Sequence, residues 1–175
     1  LQQAENWYRS LSAGANYFDA QVRLGLILGR QDRLDDARRH LQGVHAGNQE
    51  QKNILVQAEA ELLIEKKLYA DAMEIFDKAL EGELDSDLLY ARAMLAEKMG
   101  RLDVLERDLR AIIEKEPGHA QALNALGYTL ADRTNRSQEA HDLIRRALEI
   151  SPEDFYILDS MGWVLFRLNR LDESL

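Results

Sequence analysis

A chain of 175 residues that is 46% hydrophobic and 30% charged can bury a continuous core and is not a disordered polymer. Its formal net charge of −9, with no Lys/Arg cluster, argues against nucleic acid and anionic membrane surfaces as partners. The absence of cysteine excludes a disulfide framework, a thiolate nucleophile and a Cys-based zinc site.

Only two prolines interrupt the chain, and alternating Val, Ile and Thr runs are scarce. The composition therefore predicts an all-α fold. No apolar run approaches the roughly 20 residues that cross a bilayer, so no direct membrane insertion of this segment is expected. The chain begins at Leu1 rather than Met, and is expected to be a piece of a longer protein.

In chain order, residues 1–17 read as the second helix of a truncated repeat and a turn. Full repeats follow at 18–52, 53–85, 86–119 and 120–154, and a truncated one at 155–175, all in a single array. The phase comes from small residues. Gly25, Ala60, Ala93, Gly127 and Gly162 are separated by 35, 33, 34 and 35. A second series, Ala37, Ala72, Leu105, Ala140 and Ser174, follows the first by 12, 12, 12, 13 and 12. Leu105 breaks its small-residue rule. Pro117 and Pro152 are also 35 apart (152 − 117), each just before a new copy.

Every full copy predicts two amphipathic helices. In Asp71–Leu80, an apolar stripe runs through Ala72, Ile75, Phe76, Ala79 and Leu80 at helical spacing. The small residues let paired backbones approach, and stacking each pair on the next covers its open apolar face. Gly100 and Asn169 suit a left-handed helix end. Ser151-Pro152-Glu153-Asp154 suits a helix start, with Ser151 as the expected cap.

Leu126, Gly127, Leu130, Ala140, Ile144, Ala147 and Pro152, with Met161, Gly162, Leu165, Leu171 and Ser174 in the next copy, resemble the tetratricopeptide repeat family. The resemblance implies a right-handed α-solenoid of stacked antiparallel helix pairs, a superhelix whose first helices line a concave groove. It also implies that Gly25, Ala37, Ala60, Ala72, Ala93, Gly127, Ala140, Pro152 and Gly162 are structural repeat positions. Glu59 and Arg92 depart from the pattern, standing where the family usually has large apolar residues.

No catalytic constellation is legible. His40, His45, His119 and His141 make no helical metal pair, and HExxH, GxSxG, GxGxxG and P-loop motifs are absent. No metal site, cofactor or catalytic residue is expected, and the chain is read as a non-enzyme. What the resemblance implies instead is a scaffold or adaptor that binds a protein or peptide. The groove residues it nominates are Tyr90, Met94, Asn124, Tyr128, Tyr156, Trp163 and Phe166, aromatic and Met anchors that gather toward the C-terminal end. Tyr90 and Tyr128 are expected on neighbouring rungs. Of the Lys/Asn/Arg set with which chaperone-binding relatives grip a terminal carboxylate, Asn124 alone is matched.

GYTLADRT and LDSMGWVLFRL particularly resemble repeat lipoproteins of Gram-negative bacteria. That implies the periplasm or the periplasmic face of the outer membrane, with the cytoplasm as the alternative. It also implies an adaptor role for a carboxyl-terminal processing protease. Self-association, envelope assembly and an accessory region of a larger enzyme are the competing roles.

Overall fold

The computed structural model describes residues 2–10, 16–82, 84–170 and 172. Leu171 and Ser174 lie outside the described residues. All regular structure among the described residues is helical: α1 Gln2–Ser10, α2 Tyr17–Arg30, α3 Leu34–Gln42, α4 Gln49–Glu65, α5 Tyr69–Ala79, α6 Ser86–Lys98, α7 Leu102–Lys115, α8 Ala120–Arg133, α9 Ser137–Ile150 and α10 Phe155–Arg167. They fall into two compact units, Leu1–Leu88 and Leu89–Leu175.

In the first unit α2 pairs with α3 and α4 with α5, and α4 stacks on both helices of the preceding pair. Leu24, Leu28, Ala37, Leu41, Ala58 and Leu62 form its core, with Tyr8, Val22, Leu26, Leu34 and Leu55 packed against them. In the second unit α8 pairs with α9, and α7 and α10 flank them. Leu123, Leu126, Leu130, Ile144, Ala147 and Val164 are fully buried there. Each Leu, Ile or Val among them contributes roughly 1.5–3 kcal/mol when removed from water.

The small-residue phase has a direct steric cause. A Cβ placed on Gly25 would stand 2.5 Å from Leu41 Cδ2, and one on Gly127 would stand 2.6 Å from Ile144 Cγ1 and 3.0 Å from the Ala140 carbonyl oxygen. Gly29, one helical turn beyond Gly25, is closed off in the same way by Leu62. Ala37, Ala60, Ala72, Ala93 and Ala140 have no exposed surface. Leu105 also sits fully buried, so the third copy accepts a large side chain at this position.

The turns repeat as faithfully as the helices. Asp32, Lys67, Gly100 and Asn169 all adopt positive φ, at 61°, 60°, 71° and 59°. After each, the next residue's N–H reaches back five residues: Arg33 to the Leu28 carbonyl, Leu68 to Leu63, Arg101 to Ala96 and Arg170 to Leu165. This pairing satisfies the last carbonyls of the helix. The repeat between Gly127 and Ala140 has one extra residue and ends its first helix differently. There Thr134 is extended, its N–H bonds the Leu130 carbonyl, and its hydroxyl donates to the same oxygen.

The Ser151 expectation needs correction. Ser151 closes α9, with its N–H on the Ala147 carbonyl, and Pro152 lies in the following turn. Asp154 caps α10 instead, accepting from the Tyr156 and Ile157 amides at 2.9 and 3.4 Å.

Glu59 and Arg92 are both buried, and each is paired within its own unit. Glu59 accepts from Arg38 Nε and Gln42 Nε2, both at 2.8 Å. Arg92 grips Asp108 with two hydrogen bonds of 2.7 and 2.9 Å, and Arg107 adds a third at 3.0 Å. The polar substitutions are therefore coupled to partners on the neighbouring second helix.

Candidate functional site

The first helices of the second unit carry most of its exposed aromatic surface. α10 places Phe155, Tyr156, Leu158 and Phe166 in solvent, and α8 exposes Tyr128. Residues that share a face at three- and four-residue spacing then meet across α6, α8 and α10.

Two adjoining depressions form a groove. One, of about 330 Å³, is lined by residues that include Met94, Glu97, Asn124, Tyr128, Tyr156 and Asp159. The other, of about 410 Å³, is lined by Tyr128, Asp159, Gly162, Trp163 and Phe166. Tyr128 and Asp159 belong to both and join them. Six of the seven nominated groove residues are thus brought together. Tyr90 is the exception. Its half-buried ring stacks on His119 at 6.0 Å, and burial, aided by the Glu97 charge, pushes its hydroxyl pKa up.

His119 has a structural role that its residue type did not reveal. Its Nδ1 accepts from the Ala122 amide at 3.1 Å and caps α8. Ala131, three residues after Tyr128 on α8, is fully buried.

Two polar atoms in the groove wall are buried without a hydrogen-bond partner: Asn124 Oδ1 and Trp163 Nε1. Such groups are costly to leave unmatched. The Trp163 ring is held in place by Phe166, stacked at 5.6 Å, and by the Arg167 guanidinium 5.9 Å from its centroid. Arg167 also donates to the Asp132 and Thr134 carbonyls.

The electrostatics of the second unit divide by face. On the second helices, Glu106, Arg110, Arg136 and Glu139 form a closed ring of ion pairs between α7 and α9. At Glu139 the hydrogen bond from Arg110 holds the carboxyl below its ordinary pKa, against the opposing effect of burial. At Glu106 burial raises the carboxyl pKa, but the bonds from Arg110 and Arg136 together outweigh it and leave it lowered.

The first unit offers other surfaces. Its larger cleft, about 860 Å³, lies among α3, α4 and α5, with the already paired Glu59 in its wall. A smaller one is lined by polar residues such as Gln49, Asn53, Gln57, Asp85 and Asp87. Neither has aromatic anchors. Among the described residues no group of three or more His, Asp or Glu side chains could hold a metal, and no helix is long and apolar enough to cross a membrane.

Comparison with known proteins agrees with this architecture. Residues 90–155 match the tetratricopeptide repeat family model. The chain is 39% identical over 168 residues to TPR repeat-containing protein PA4667 of Pseudomonas aeruginosa, an alignment that covers 95% of the chain and 28% of that protein. The chain thus spans little more than a quarter of this relative. Among solved structures, MamA superposes with a TM-score of 0.70 at 16% identity, covering 99% of this chain and 87% of that one. YrrB, described as a TPR protein with an unusual peptide-binding site, superposes at 0.66 and 18% identity, covering 89% and 80%. At such identities the likeness speaks for the fold.

Proposed function

We propose that this chain, a tetratricopeptide-repeat protein, is a scaffold that holds a segment of a partner polypeptide in the groove formed by α6, α8 and α10. The observation that carries the reading is the groove wall. Exposed Tyr128, Tyr156 and Phe166 stand beside two buried polar atoms, Asn124 Oδ1 and Trp163 Nε1, that lack partners. Rings supply contact area at low conformational cost. YrrB, which shares the fold, is described as having a peptide-binding site.

The finer reading is an adaptor role at the periplasmic face of the outer membrane, delivering substrates to a carboxyl-terminal processing protease. Its support is the resemblance of GYTLADRT and LDSMGWVLFRL to bacterial repeat lipoproteins. Affinity capture with the full-length parent, followed by mass spectrometry, tests it. Specific recovery of such a protease supports the reading, and its absence from a capture that retains other partners removes it.

The groove itself is tested by Tyr128→Ala with Tyr156→Ala against any retained partner. Losing one anchor costs about 2 kcal/mol or more, about 30-fold in affinity. A folded double variant with full affinity would refute the groove. Self-association is the second reading, favoured by Phe155, 84% exposed at the start of α10. Light scattering of the parent separates a monomer from an assembly.

A further inference from the structure

The groove of the second unit has an unbalanced charge. Glu97 on α6 and Asp159 on α10 line the same depression, and neither has an ion-pair partner among the described residues. The carboxylates of Glu106 and Glu139, on the second helices, are each bound by two arginines. The pattern is therefore not a general excess of acid over base. Arginines are available in this unit, and they are spent outside the groove.

The arginine of α10 that packs beside the groove is also committed. Arg167 lies against the Trp163 ring and donates to two backbone carbonyls. The rest of the wall around Glu97 and Asp159 includes the exposed rings of Tyr128 and Tyr156, alongside Met94 and Asn124. Carboxylates accept hydrogen bonds from an ammonium or guanidinium group, and aromatic faces attract it. An acidic side chain arriving here would meet repulsion from both sides.

Resting on the groove reading, we infer that the occupant is a polypeptide segment with a Lys or Arg side chain seated between Glu97 and Asp159, and with apolar neighbours against Tyr128 and Phe166. The carboxylates set which segments are chosen, and the rings supply most of the contact. The partly exposed position makes each ion pair modest and salt-sensitive.

A random dodecapeptide phage library selected against the full 175-residue chain tests this directly. The comparison proteins are Glu97→Gln with Asp159→Asn, and Tyr128→Ala with Tyr156→Ala. Enrichment of Lys or Arg beside aromatic or aliphatic residues is expected with the unaltered chain, and should be lost with the charge-neutral variant. A synthetic peptide from that selection should bind the charge-neutral variant about two- to 25-fold more weakly, with a flatter salt dependence, since two exposed pairs are lost at about 1.4- to fivefold each. Peptides without Lys or Arg, or equal enrichment by the charge-neutral variant, would overturn the inference. If the tyrosine variant still loses those peptides, the groove reading survives without the cation. Failure of the tyrosine substitutions to alter selection would remove the groove reading as well, and the inference with it.

Discussion

Gly127→Ala isolates the close approach on which the helix pairing of the second unit depends. The added methyl would lie 2.6 Å from Ile144 Cγ1 and 3.0 Å from the Ala140 carbonyl oxygen. Ile144 is fully buried and β-branched, so it has few alternative rotamers. The Ala140 oxygen belongs to the α9 backbone and moves only if the helix does. Overpacking of this kind costs about 1–3 kcal/mol, while Ala gains about 1 kcal/mol over Gly in helix propensity. The net expectation is destabilisation by about 1 kcal/mol, rising toward about 3 kcal/mol for Gly127→Leu. Gly118→Ala is the control, because nothing lies within 4 Å of its Cβ and its φ is not left-handed. It should be neutral or stabilise by about 0.4–1 kcal/mol through the unfolded chain. Urea melts followed by far-ultraviolet circular dichroism give both midpoints. Equal shifts at the two glycines, or a gain at Gly127, would show that α8 and α9 do not meet there.

Other expectations follow from the buried charges and the turns. Asp108→Ala leaves the buried Arg92 guanidinium without its bidentate acceptor and should cost about 3–5 kcal/mol. Arg92→Met with Asp108→Leu should recover most of that in the same melts. Lys67 pays for its positive φ, so Lys67→Gly should raise the melting midpoint by the equivalent of about 0.5–1 kcal/mol, the left-handed penalty less the entropy of Gly. Glu106 and Glu139 have lowered folded-state pKa values. Their contribution is present above the ordinary carboxylate range and disappears as pH falls through the depressed values. Thermal melts from neutral to acid pH should therefore drop more steeply for the unaltered chain than for Glu106→Gln with Glu139→Gln.

Much of this architecture was legible from spacing. Glycine and alanine recur where backbones touch, and the contacts of Gly25 and Gly127 show why. Gly100 and Asn169 announced two left-handed turns, but Asp32 and Lys67 adopt the same conformation without a residue type that signals it. Ser151 and Asp154 are both capable caps only three residues apart. The choice fell to Asp154 because Ser151 was already engaged in closing α9. Burial of Glu59 and Arg92 was hidden for a different reason. Their partners, Arg38 with Gln42 and Asp108, are ordinary surface residue types until the helices pack. The groove was legible as a set of aromatics at repeat positions. The separation of Tyr90 from the others was not, since it depends on His119 turning its ring toward it.

The most direct measurement is site-specific photocrosslinking in the full-length parent. A benzophenone amino acid replaces either Tyr128, on the groove face of α8, or Arg145, exposed on α9. The groove reading requires partner-dependent adducts from position 128 and none from position 145. Adducts confined to position 145, with a folded and partner-binding protein at both positions, would contradict it.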